Sequence, residues 1–136
     1  MLKSSICTII GIIGAYIASL FGGWTQGLTT LVIFIAVDYL TGVAVAGFFR
    51  SSTKSDSGGL SSAAGFRGLI KKIAILAVVV IAHRLDIMIN VSYIRNTAII
   101  GFCVNELISV VENLGLMGVK FPPVIAKAID ILNERS

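Results

Sequence analysis

Charged side chains are scarce in this sequence: Asp, Glu, Lys and Arg make up 13% of its 136 residues, against 56% hydrophobic ones. A soluble domain carries about a quarter charged residues, and needs polar side chains to cover a surface that grows with its size. Long stretches here supply none, so the apolar excess is expected to face lipid. Histidine occurs once, at His83, and cysteine twice, at Cys7 and Cys103, both inside apolar runs. No CxxC or Cys/His spacing is present; the thiols read as small packing groups and no metal site is expected. Also missing are a glycine-rich phosphate loop, an HExxH helix and a nucleophile elbow. Without them, no catalytic or cofactor-binding residue is assigned, no cofactor is expected and an enzyme is not. The net charge of +4 does not revive nucleic acid as a partner. The basic residues sit between and beside the apolar runs, as membrane loops arrange them, rather than in a stripe interleaved with aromatics.

What the sequence does have is four apolar segments, at about 5–22, 28–49, 69–91 and 94–117. A helix needs roughly 20 residues to cross a hydrocarbon core of about 30 Å. The second segment, Leu28 to Phe49, is the clearest, with Asp38 as its single formal charge. Its twelve Leu, Ile, Val and Phe residues, at roughly −0.3 to −0.6 kcal/mol each, outweigh the ~2.5–3.5 kcal/mol cost of a central Asp. The third begins with Lys71 and Lys72, which can snorkel toward an interface, and carries His83, Arg84 and Asp86 in its second half. The first reads as a span, with an interfacial helix anchored by Trp24 or a signal-peptide core after Lys3 as the alternatives. The expected fold class is therefore an all-α integral membrane protein. It is a single membrane domain, a bundle of three to four transmembrane helices plus a short C-terminal amphipathic helix.

Residues 50–68 read as a polar Ser/Gly linker. With Lys71 and Lys72 it forms the most basic connection, holding Arg50, Lys54 and Arg67, which places it in the cytoplasm. Four spans then put both termini inside as well, in a bacterial cytoplasmic membrane. Arg84 and Arg95, near the second outer turn, run against this path. After the last span Pro122 and Pro123 break the chain and start a tail at 122–134. Its Lys127, Asp130 and Glu134 lie opposite Val124, Ala128, Ile131 and Leu132. The tail is too short to span.

Several polar groups fall at membrane depth. Asp38 and Glu106 lie near the middles of the second and fourth segments. His83, Asp86 and Asn90 form a stripe on the third, and Asn105, Glu106, Ser109, Glu112 and Asn113 occupy an arc of roughly 120° on the fourth at 100° per residue. Such groups avoid lipid and mark functional positions by default. Two readings stay open: structural pairs inside the bundle, for instance Asp38 with Arg84 or His83, or an aqueous lumen shared by several copies. Gly11 and Gly14 in the first segment, and Gly42 with Ala46 in the second, are candidate helix-packing positions, since small residues let backbones approach closely.

The sequence also resembles a known family. FGGW at Phe21–Trp24, VDYLTGV at Val37–Val43, GFRGLIKK at Gly65–Lys72, AHRLD at Ala82–Asp86, RNTAIIGF and NELISVVEN together resemble the phage lysis and toxin-secretion holins of Gram-positive bacteria and their phages. The resemblance carries the family's landmarks onto Asp38, Tyr39, Thr41 and Gly42, onto Gly65, Gly68 and Lys72, onto Asp86, and onto Asn105, Glu106, Ser109, Glu112 and Asn113. It gives none of them a catalytic role. It implies a homo-oligomer in the cytoplasmic membrane that permeabilises it, releasing endolysin or a large protein toxin as cargo. The alternatives are a small ion channel or transporter and a non-permeabilising antiholin. The tail, with Asp130 and Glu134 beside Lys127 and Arg135, is less basic than the resemblance implies.

Overall fold

The computed structural model describes residues 1–50 and 57–135, and among them every regular element is helical. The elements are α1 (Leu2–Leu20), α2 (Gln26–Ala44, continued by a π-helical turn at Val45–Phe49), α3 (Ser62–Ile89), α4 (Ile94–Leu116) and α5 (Pro123–Arg135). Among the described residues three helices are long and apolar enough to cross a membrane: Leu2–Leu20, Gln26–Phe49 and Ile94–Leu116. At 28 residues, α3 is about 42 Å long, but Lys72, Arg84 and Asp86 interrupt its apolar stretch.

Local chemistry sets the boundaries. Thr25 caps α2, its hydroxyl accepting from the Leu28 amide at 3.3 Å, while the Trp24 indole donates to Thr29 Oγ1 at 2.6 Å. The π-helical turn ends at Arg50, which takes a left-handed conformation with φ +48°. Ser61 caps α3 by accepting from the Ala64 amide, an interaction that typically contributes about 1 kcal/mol. That cap corrects the expected extent of the polar linker. Residues 62–68 belong to α3, two turns earlier than hydropathy suggests, because serine, alanine and glycine there follow a helix start rather than filling a loop. Positions 51–56 of that linker lie outside the described residues. Asn90, expected to extend the polar stripe of α3, instead terminates the helix in a left-handed conformation with φ +61°.

The core lies among α2, α3 and α4. Leu28, Leu31, Val79, Ile99 and Cys103 form its buried cluster, with Phe21, Phe34, Ile35, Ile75 and Phe102 packed against it. α2 and α4 share the most extensive contact, α3 packs chiefly on α4, and α2 meets α3 sparingly. α1 stands apart: none of its residues is buried. It is tied to the bundle at its end, where Arg95 Nη1 donates to the carbonyls of Phe21 at 2.7 Å and Gly23 at 3.3 Å. Gly22 makes this approach feasible. Its φ is +81°, and a Cβ there would run into the His83 ring and Arg95 Nη1.

Candidate functional site: a buried ion triad

Three helices each bring one ionisable group to a single point. Lys72 of α3 donates one hydrogen bond to Asp38 Oδ2 of α2 and another to Glu106 Oε2 of α4, the latter at 2.5 Å. Asp38 and Glu106 are 2% and 4% exposed. Asn113, about two turns beyond Glu106 on α4, turns its amide toward the Asp38 carboxylate. Its Nδ2 donates to Asp38 Oδ1 at 3.0 Å and to Thr41 Oγ1 at 2.9 Å. Thr41 in turn donates to the Val37 carbonyl at 2.7 Å. Both Asp38 oxygens therefore have donors, and no buried side-chain nitrogen or oxygen among the described residues lacks a partner.

The energetic logic follows from burial. Desolvating a charge costs several kcal/mol, and an ion pair recovers that cost only when its geometry is good and its remaining lone pairs are satisfied. Here the ammonium lies between two carboxylates and the Asn113 amide serves the second oxygen of Asp38. The triad therefore fastens α3, which carries more charged side chains than any other long helix, to α2 and α4. It is a clamp between helices.

Sequence reasoning placed Asp38 and Glu106 at matching depths, and the structure brings them to one cation. The partner differs from the expectation: Asp38 pairs with Lys72, not with Arg84 or His83. Because α3 begins at Ser62, Lys72 lies three turns inside the helix, so its chain reaches inward rather than snorkelling outward. The three-turn offset of Lys72 from the cap was the signal available, but it depended on recognising Ser61 as the helix start.

The other polar positions divide into two groups. At the far end of the bundle Asp86 is buried and caps α4 from a neighbouring helix: its carboxylate accepts from the amides of Ile94 at 2.8 Å and Arg95 at 3.0 Å. His83, Asp86, Arg95 and Gly22 surround a polar cavity of about 420 Å³ there. On α4 the polar arc splits lengthwise. Glu106 and Asn113 turn inward, Ser109 is half-buried between them, and Asn105 and Glu112 are exposed along the outer edge. Of the small residues, Gly42 lies 3.7 Å, measured from an added Cβ, from Asn113, whereas Gly11 and Gly14 have nothing within 4 Å. Ala46 lines an apolar groove between α2 and α3. Among the described residues no group of three or more His, Cys, Asp or Glu side chains could hold a metal ion.

Comparison with known proteins assigns this architecture. Residues 15–134 match the model of the bacteriophage holin family, a span that includes the triad, both caps and the tail. The chain belongs to that family. Among individual relatives, an uncharacterized Listeria innocua protein, Lin0175, is 40% identical over 93% of this chain and 87% of its own length. The uncharacterized Clostridium perfringens protein CPE0383 is 36% identical over 96% of this chain and 94% of its own. A probable holin of Bacillus phage phi105 is 28% identical over 86% and 81%. No solved structure matches. Family membership and three bilayer-length apolar helices make this a holin-like, all-helical membrane protein.

Proposed function

We propose that copies of this chain assemble in the bacterial cytoplasmic membrane and permeabilise it, letting an endolysin or a large protein toxin leave the cell. The observation that carries this reading is the outer edge of α4. Asn105 and Glu112 stand exposed on a helix of bilayer length, where hydrocarbon offers a carboxylate and an amide no partner. The buried polar atoms of the triad find their partners inside the chain and need no water. The exposed edge does, or needs another copy, and a lumen shared by several copies supplies both. With α3 crossing as a fourth span, both termini and the basic connection after α2 lie on the cytoplasmic side, as the distribution of Lys and Arg favours.

Induced expression in a bacterium with a co-expressed cytoplasmic muralytic enzyme tests the function. The expected outcome is rapid depolarisation followed by wall digestion. Full accumulation in the membrane with neither effect overturns it. Glu112→Gln refines the test: the timing or conductance of the lesion changes while the amount of folded protein does not.

A further inference from the structure

The triad does not balance its own charge. Two carboxyl groups face one ammonium, and among the described residues no second cation lies within ion-pair distance of either acid. With every group ionised the cluster carries one net negative charge. Asp38 and Glu106 are almost wholly buried, and the helices that carry them are of bilayer length. An uncompensated charge in such a place is costly enough that a buried acid takes up a proton instead.

A second observation points the same way. Asp38 and Glu106 lie within hydrogen-bond reach of each other as well as of Lys72. Ionised carboxylates only accept hydrogen bonds, so the two are joined only when one of them carries a proton, and two acids this close titrate as a pair. The other groups facing them offset no charge. α2 adds the Thr41 hydroxyl, which accepts from Asn113. α3 brings Lys72 alone. α4 brings the Asn113 amide, Ser109 within reach of Asp38, and the thiol of Cys103 beside Glu106. All of these except Lys72 are ordinarily neutral at about pH 7.

We propose that the triad binds one exchangeable proton, shared between Asp38 and Glu106. Lys72 then balances the remaining negative charge, and the cluster is neutral as a whole. The proton comes from water and sits on a carboxylate oxygen; no other bond changes. Asp38 and Lys72 line the groove between α2 and α3, which runs to Gly59 and Ser61 at the start of α3 and gives the proton a way in and out. Once it is lost the two acids repel each other across a single ammonium, and the fastening of α3 weakens. The site lies inside one copy's bundle and stands whether or not copies assemble. The unfolded chain, with its acids in water, gives up this proton above about pH 4. Stability is therefore full below that range and falls as pH rises, by up to about tenfold in the folding equilibrium per pH unit, until the folded protein releases the proton too.

Infrared spectroscopy of the full chain in phospholipid vesicles reads the proton directly. At about pH 7, where exposed carboxyl groups are ionised, the parent is expected to show the C=O stretch of a protonated carboxyl group. Glu106→Gln and Asp38→Asn each remove it, because the acid that is left pairs one to one with Lys72, while Glu112→Gln leaves it in place. The parent's unfolding midpoint falls between about pH 5 and about pH 8, and that of Glu106→Gln stays level. If neither triad variant folds, the parent's band and its loss on raising the pH decide alone. Four results overturn the proposal: no protonated-carboxyl band in the parent; a band that survives in Asp38→Asn, meaning that burial alone protonates Glu106 and nothing is shared; a band lost in Glu112→Gln, meaning that the proton sits on the outer edge of α4; and a parent without the band that added sodium or potassium stabilises, meaning that a metal cation balances the charge.

Discussion

α1 and α3 are opposites. α1 is apolar enough to cross a membrane yet buries none of its residues in its own chain, whereas α3 is interrupted by charges and is bound into the bundle at two points along its length, Lys72 and Asp86. Hydropathy and packing are therefore separate properties in this protein. An apolar surface is satisfied by lipid and gains little from a neighbouring helix, since lipid tails are as apolar as leucine. A buried charge is satisfied only by partners, so the polar groups of α3 decide where it sits.

The most damaging way to break the contrast is to unpair the triad. Lys72→Met leaves Asp38 and Glu106 facing each other with no cation between them. Removing one partner of a buried ion pair costs about 3–5 kcal/mol. The expected outcome is a large fall in the detergent-unfolding midpoint and in the yield of folded protein. Combining Asp38→Leu, Lys72→Met and Glu106→Met is expected to restore much of that loss, because a well-packed apolar substitute often matches a buried ion pair. If the single variant is as stable as the parent, the triad is not what holds α3.

Core packing ranks next. Leu31 is fully buried against Val79 and Ile99, and Leu31→Ala is expected to cost about 2 kcal/mol or somewhat more. The Asp86 cap follows. Asp86→Ala strips acceptors from the Ile94 and Arg95 amides, a loss of about 1–2 kcal/mol by analogy with helix caps. Both are read as shifts of the SDS-unfolding midpoint, and amide exchange at Ile94 and Arg95 should rise in the Asp86 variant alone. Equal exchange in parent and variant argues that water already serves those amides.

The all-helical membrane architecture was legible because it depends on long apolar runs, which lipid reads much as a hydropathy sum does. Asp38 and Glu106 were legible too, since a carboxylate in such a run demands an explanation wherever it points. Lys72 was not. Near the apparent end of an apolar segment, lysine has a cheap escape toward the interface, and the Ser61 cap that moves that end outward lies in a stretch whose serines and glycines also suit a linker. The division of the α4 stripe was beyond sequence as well: at 100° per residue Asn105 and Glu106 belong to one polar arc, and the position of α2 and α3 beside it decides which is buried.

The smallest expected effect on the fold sharpens the comparison most. A Cβ at Gly11 meets nothing within 4 Å, and glycine in a helix interior costs roughly 0.5–1 kcal/mol relative to alanine. Gly11→Leu should therefore leave the unfolding midpoint of dispersed monomers unchanged or slightly raised. If α1 works between copies, the same leucine blocks close approach along its small-residue face, so multimers recovered from membranes decline while monomer stability holds. A fall in monomer stability would instead mean that α1 packs within its own chain, and the contrast between α1 and α3 would be one of degree.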